Sequence, residues 1–421
     1  MRFRTAAWFA FLWLTLPAAT IVGQLFISST FPTGSGYGLS ENIRAYGALV
    51  LIAPIAALGG ALTAGRLRRS SVLQSGPHGR SPSRVWASIA GSPAVAFAVL
   101  ISTFMAATAA SAGAFPLLDP RLAAAAAIQS LAYVLFGLAL GANLPAVLAI
   151  PAALVVPYVV IAFPPALSTY WLRHVTGISS NCCWIYEDVP QRAFTAHLAF
   201  SMALALAAAA ALPRWNARAS LTRAALAILA TGSLVTACLS AQIFGPSANE
   251  PRAGAPYCSS RSGVELCLWP EHEKNRASSE QVLRRILGEA DGLDIPNKFT
   301  ELDPGLVRWP TTSWVAASGD LEKLLSGAVY SLSPSTQCFR QQTVGVETAV
   351  PQEFPDDGPI VRAWWSGRLG LDAQDSLDAA GASDDQRATL ARIESLPLPE
   401  QKDEINALVR RAAGVCSGVV N

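Results

Sequence analysis

Glu271, His272 and Glu273 form the densest run of side chains able to bind a metal or move a proton. With Arg276 they read His-Glu-x-x-Arg, the first half of a helical zinc-protease signature. That chemistry needs a second imidazole one turn after the first so that both nitrogens reach one ion, and a guanidinium stands there instead. A solvated loop after a strand accounts for the same residues, and no metal ligand is assigned. ATP hydrolysis would need GxxxxGK[ST], whose backbone cradles phosphates, yet none of Lys274, Lys298, Lys323 and Lys402 follows a glycine. No GxSxG nucleophile elbow occurs either. The reading is of a chain that is not an enzyme, with no catalytic residue and no cofactor.

Two other groups of residues stand out by their place between apolar runs. Arg173, His174, Glu187 and Asp188 lie together in residues 166–192, and His197 follows near the start of the next apolar run. Ionisable groups at membrane depth often handle protons or substrates, so these five form a candidate outer membrane-edge site, against an interfacial belt or a packed histidine as the plainer accounts. Arg66, Arg68, Arg69, Arg80 and Arg84 crowd the richest positive loop, a candidate docking element for a partner. Trp269, Trp309, Trp314, Trp364 and Trp365 line either a ligand groove or a core.

Those groups need elements to hold them. The chain has 421 residues, 52% hydrophobic and 14% charged. A charged fraction that far below the ~25% of soluble domains indicates a membrane protein joined to a soluble part. Arginine in short loops orients spans rather than gripping nucleic acid, so no nucleic-acid partner is expected. Alanine- and arginine-rich, lysine-poor usage suits a GC-rich bacterial gene. Apolar runs at about 5–28, 44–65, 87–112, 122–141, 145–165, 193–213 and 224–244 predict about seven transmembrane helices in the bilayer. At roughly 1.5 Å per residue each run spans a ~30 Å hydrocarbon core. The first run resembles a signal sequence but is longer than the usual h-region and is read as an uncleaved helix. Pro151 and Pro157 predict a kinked or broken fifth span. Gly137 and Gly141 have the small-xxx-small spacing that lets backbones approach, read as packing within the bundle rather than a dimer seam. Arginines before the first span, after the second (Arg66, Arg68, Arg69) and after the sixth (Arg214, Arg218, Arg223) mark the cytoplasmic side, so the amino terminus is internal and an odd count delivers residues after 244 outside.

Residues 245–256 form a linker, and 257–421 an extracytoplasmic domain that is mainly α (α+β) with a small β-hairpin. Ser262-Gly263 sits between two short strands, and Val264, Leu266 and Leu268 alternate with Glu265, Cys267 and Trp269. A two-residue loop there sets Arg261 opposite Val264 and Cys258 opposite Cys267, within disulfide range. Cys338 and Cys416 are the second expected pair, adjacent Cys182 and Cys183 bond each other only with strain, and Cys238 is a small apolar residue inside a span. Disulfides suit an oxidising compartment. Ser278-x-x-Gln281, Asp320, Ser383-x-x-Gln386 and Pro399 are expected to start four helices, the last stopping at Gly414.

Six spans, a basic loop after the second and an amphipathic insertion between the fifth and sixth resemble the type-2 ABC exporter permeases over residues 1–213. The resemblance implies a permease-like membrane subunit that works with a separate ATP-binding subunit as a homodimer or heterodimer, with Arg66, Arg68, Arg69, Arg80 and Arg84 in the ATPase-docking position. The seventh span and its large outer domain depart from that family; the tail is similar to uncharacterised outer domains joined to permease-like proteins. A sensor or scaffold with an extracytoplasmic ligand-binding domain is the alternative.

Overall fold

The computed structural model describes residues 36–69, 82–177, 183–212, 219–245, 248–261, 263–302, 307, 311–316, 318–332 and 357–418. The chain divides into two units, Met1–Glu250 and Pro251–Asn421. The apolar run at 5–28, Arg80, Cys182, Trp309 and Cys338 lie outside the described residues.

Among the described residues of the first unit, six helices are long and apolar enough to cross a membrane: Leu49–Arg69, Trp86–Ser111, Pro120–Asn143, Ala146–Ala166, Gln191–Ala211 and Ser220–Ala241. Its elements are α1 (Gly38–Tyr46), α2 (Leu49–Arg69), α3 (Pro82–Ser111), α4 (Pro120–Asn143), α5 (Ala146–Ala162), α6 (Tyr170–Thr176), α7 (Gln191–Ala211) and α8 (Ala219–Ala241). The run expected as one span from residue 44 is interrupted. The chain turns at Gly47 and Ala48, where the Gly47 N–H closes α1 on the Ile43 and Arg44 carbonyls. The preceding α1 is a separate, polar helix that buries Glu41 and Asn42 beside Leu39, Ile43 and Tyr46.

Helices α2 and α4 form the tightest pair. A Cβ added at Gly137 would lie 2.8 Å from Ala57 Cα and overlap its carbonyl, and one at Gly141 would meet Ala61 in the same way. Gly60 answers from the other side, against Val134 and Leu138. The small residues of α4 are thus spent inside the bundle, letting two backbones touch where side chains would hold them apart. Asp119 starts α4, accepting from the Arg121 and Leu122 amides ahead of Pro120. Helix α5 is not broken; it continues from Ala146 to Ala162 through Pro151 and Pro157. Each proline removes one amide bond to the residue four back, and the intact turns between them keep the helix together.

The second unit is built on a four-stranded sheet in the order β1 (Tyr257–Arg261), β2 (Val264–Leu268), β3 (Lys298–Thr300), β4 (Thr311–Ser313). The β1–β2 hairpin is antiparallel with Arg261 opposite Val264 and Cys258 opposite Cys267, while β2–β3 and β3–β4 are parallel. Gly263 turns the hairpin with φ of +84°, a conformation that costs glycine nothing. Strands β3 and β4 were not anticipated, and they make the sheet larger than a lone hairpin.

Helices α9 (Arg276–Glu289), α10 (Leu321–Ser331), α11 (Gly358–Arg368), α12 (Ala373–Ala379), α13 (Asp384–Glu394) and α14 (Leu398–Gly418) complete this unit. Asp320 caps α10, and Ser383 with Gln386 forms the expected capping box on α13. Ser278 does not start α9, which begins two residues earlier at Arg276, and α14 passes through Gly414 to Gly418. One core gathers Leu266, Leu268, Ile286, Phe299, Trp314, Val361, Trp364, Trp365, Ile393 and Leu408. Trp269, Trp314, Trp364 and Trp365 are all buried, so the groove reading of the tryptophans gives way to the core reading for these four.

Candidate functional site

Residues scattered through the apolar helices meet on α1, α4 and α7. Tyr46 ends α1, and its hydroxyl donates to Gln129 Oε1 on α4 at 2.6 Å. The same hydroxyl lies 2.8 Å from His197 Nε2 on α7, whose Nδ1 is 3.3 Å from the Val175 carbonyl at the end of α6. Tyr46, Gln129 and His197 are all buried. In an apolar bundle an unpaired polar group costs several kcal/mol, so a chain of mutually satisfied groups is the form in which polarity survives there.

More polar groups adjoin this chain. Tyr133 lies one turn beyond Gln129 on α4, next to which stands Ser130, and Ser201 lies one turn beyond His197 on α7. The hydroxyls of Ser130 and Ser201 are buried and have no hydrogen-bond partner among the described residues, and the buried Tyr133 hydroxyl interacts with Gln129. Other hydroxyls on these helices satisfy themselves on a carbonyl four residues back, as Thr63, Thr108, Thr195, Thr231 and Thr236 do.

Helix α1 is held in place by a second polar set. Asn42 donates to the Gly38 and Leu117 carbonyls and accepts from the Asp119 amide. Buried Glu41 pairs with Arg44 at 3.4 Å. Arg121 bridges Asp119 and Asp188 at 3.0 and 2.9 Å, and the Tyr37 hydroxyl donates to the Glu187 carbonyl. The α3–α4 connection, α1 and the segment before α7 are joined in this way by ionic and amide bonds.

The five residues expected to form one membrane-edge site are therefore distributed over separate contacts. Asp188 belongs to the Arg121 pair. Glu187 accepts the Trp184 amide at 2.7 Å. Arg173 reaches back to the Pro165 and Leu167 carbonyls and stacks over Tyr170. Buried His174 sets Nε2 2.9 Å from the Gly245 carbonyl and its ring edge-on to Phe244. Burial holds the His174 pKa below its ordinary value, Arg173 adding to the effect and the Gly245 bond opposing it. His197 is the one member in the Tyr46–Gln129 chain. Sequence alone did not join Tyr46, Gln129 and Arg121 to these contacts, because Gln129 stands alone in an apolar stretch and Tyr46 and Arg121 have partners far along the chain; the available signal was the four-residue spacing of Gln129 and Tyr133.

At the other ends of the helices, Arg66 and Arg69 are exposed in the last turn of α2. Arg68 instead donates to the Leu144 carbonyl at 2.7 Å, tying α2 to the α4–α5 connection. Arg84 falls in the first turn of α3 rather than in a loop.

In the second unit the Glu271-His272-Glu273 run is divided among three partners. Glu271 binds Arg252, which also covers the Trp269 ring. His272 Nδ1 meets Glu301 Oε1 at 2.5 Å in the core. Glu273 pairs with Arg276, which depresses the Glu273 pKa and raises that of Arg276. Arg276 also donates to Ser259 Oγ and to the Leu266 and Tyr257 carbonyls, locking the hairpin to the start of α9. That lock explains why α9 begins at Arg276 and not at Ser278. Glu301 collects the Trp269 and Ala316 amides as well as His272, so its carboxylate is a structural knot. Cys258, Glu265 and Cys267 lie close enough to share an ion, but a disulfide joins the two sulfurs and Glu265 pairs with Lys298. Cys416 lies on α14, and Cys238 is a free thiol on α8. Comparison with protein-family models, with curated proteins and with solved structures returned no match.

Proposed function

We propose that this chain is a permease-like membrane subunit that moves a solute through or along its helical bundle and takes its energy from a separate ATP-binding subunit. The observation that carries this reading is the buried Tyr46–Gln129–His197 chain. Polar residues are expensive inside an apolar bundle and mark a pathway more often than a scaffold.

The proposed orientation follows from charge. Arg66 and Arg69 are exposed at one end of α2, whereas Arg44 and Arg121 at the opposite ends are neutralised by Glu41, Asp119 and Asp188. Unpaired arginine favours the cytoplasmic side. Following the helices alternately from there, α8 ends on the other face, so the second unit is extracytoplasmic. The Cys258–Cys267 disulfide supports that compartment.

The test is purification of the full chain from native membranes. An ATP-binding subunit should copurify, and Arg66→Glu with Arg69→Glu should release it while the chain stays folded. A preparation free of any ATPase, with transport-linked phenotypes unaffected by both reversals, overturns the reading. The alternative of a sensor or scaffold draws on the second unit having its own packed core; a soluble ligand that protects that unit from proteolysis, with no ATPase present, would favour it.

A further inference from the structure

The hydrogen-bond chain on α1, α4 and α7 carries an inference independent of which reading of the transport function holds. Tyr46 has one proton, and as placed it goes to Gln129 Oε1. His197 must then donate from Nε2 to the Tyr46 oxygen, and Nδ1 faces the Val175 carbonyl, another acceptor. Every contact in this direction is satisfied only when His197 carries protons on both nitrogens. A neutral His197 satisfies the same atoms by reversing the chain. Nδ1–H then donates to Val175, Tyr46 donates to Nε2, and Gln129 turns its amide so that Nε2–H donates to Tyr46. The two arrangements use the same atoms and differ by one proton and a half-turn of one amide.

We propose that Tyr46, Gln129 and His197 form a proton-binding switch within the bundle, with the hydroxyls of Ser130, Tyr133 and Ser201 as its route to water. One proton from solvent adds to His197 Nε2, the Tyr46 hydroxyl swings to Gln129, and the reverse steps return that proton to solvent. The buried hydroxyls of Ser130 and Ser201 have no partner among the described residues and are free to rotate, as a relay requires; that of Tyr133 adjoins Gln129, and all three stand on the two helices that carry Gln129 and His197. No carboxylate, lysine or arginine is in the chain, so the proton is held by hydrogen bonds and not by a fixed counter-charge.

The other titratable or charged groups on the elements packed around His197, its own helix included, are Glu41 and Arg44 on α1, Arg121 and Tyr133 on α4, Tyr170, Arg173 and His174 on α6, Arg192 on α7, and Arg223 and Cys238 on α8. Glu41 and Arg44 neutralise each other, and Arg121 is taken by Asp119 and Asp188. His174 is turned to Gly245.

The experiment is ¹⁵N-histidine NMR of the full chain in detergent micelles over about pH 4 to 8. The four histidines are distinguished by His78→Gln, His174→Gln, His197→Gln and His272→Gln variants. His197 should pass from a neutral Nδ1–H tautomer to the doubly protonated form. Gln129→Leu, which removes the acceptor for the Tyr46 proton, should weaken proton binding about tenfold, and Gln129→Glu should strengthen it by a similar factor. Ser201→Ala should slow exchange with water without moving the midpoint. A His197 that keeps one neutral tautomer throughout the range in which the chain stays folded overturns the proposal, as does a midpoint that neither Gln129 variant moves. An unchanged exchange rate in Ser201→Ala overturns the assigned route. None of these outcomes depends on an ATPase, so failure here is distinct from failure of the permease reading.

Discussion

Glu301 and His174 show how differently two buried ionisable side chains are used. Glu301 accepts the Trp269 and Ala316 amides and meets His272, joining β3, the turn before α9 and the segment after β4. Glu301→Ala strands two amides and an imidazole in the core, and should cost about 3–5 kcal/mol. Thermal unfolding of the full chain, followed on the second-unit transition, measures it. His174 has a folded pKa below its unfolded value, so the unfolded chain takes up the proton first as pH falls. Its contribution is complete above about pH 6.5 and declines on acidification below that value. His174→Gln should flatten the low-pH limb of the first unit's melting temperature relative to the native chain. A residue-by-residue reading of the sequence found His174, His197 and Asp188 because they are ionisable. It could not find their partners: Gln129 and His197 are 83 and 151 positions from Tyr46, and no local pattern links such distances.

Helices and strands were legible in proportion to how locally they are determined. The β1–β2 hairpin follows from a period of two and a two-residue turn, both readable along a few residues. The α10 and α13 starts follow from Asp320 and from the Ser383–Gln386 box, again local. Ser278 misled because its capping pattern competes with Arg276, whose three bonds to the hairpin, at Ser259, Leu266 and Tyr257, come from residues distant along the chain. Strands β3 and β4 have three residues each, too few for an alternation to show, and the Trp364-Trp365 pair of α11 is buried on both sides, which erases the amphipathic stripe.

Two element-level outcomes are expected. Gly137→Leu should destabilise the bundle by about 1–3 kcal/mol or prevent α2 and α4 from packing, whereas Gly65→Leu, with open space beside it, should leave the melting temperature in detergent unchanged. Joint replacement of Cys258 and Cys267 by serine should lower second-unit stability by about 2–3 kcal/mol, given a closed loop of roughly ten residues. Reduction of the native chain should reproduce the loss.

For the whole molecule, composition alone predicted an apolar part followed by a soluble one, since the drop in hydropathy after residue 244 is a property of long windows. The division of the chain lies between Glu250 and Pro251. Sidedness is the property on which the proposed function most depends at this scale. Protease added to intact cells should cleave the second unit, and inverted vesicles should protect it; the opposite pattern would reverse the orientation proposed above.

The Tyr46–Gln129–His197 chain also has a consequence for biogenesis. Its members reach the membrane in order, Tyr46 first and His197 last. While the ribosome is still making α5 and α6, Tyr46 and Gln129 are inserted with no imidazole to meet. Until α7 emerges Tyr46 and Gln129 have only each other, so α1 and α4 are expected to stay together, rather than disperse singly into lipid, before α7 brings His197.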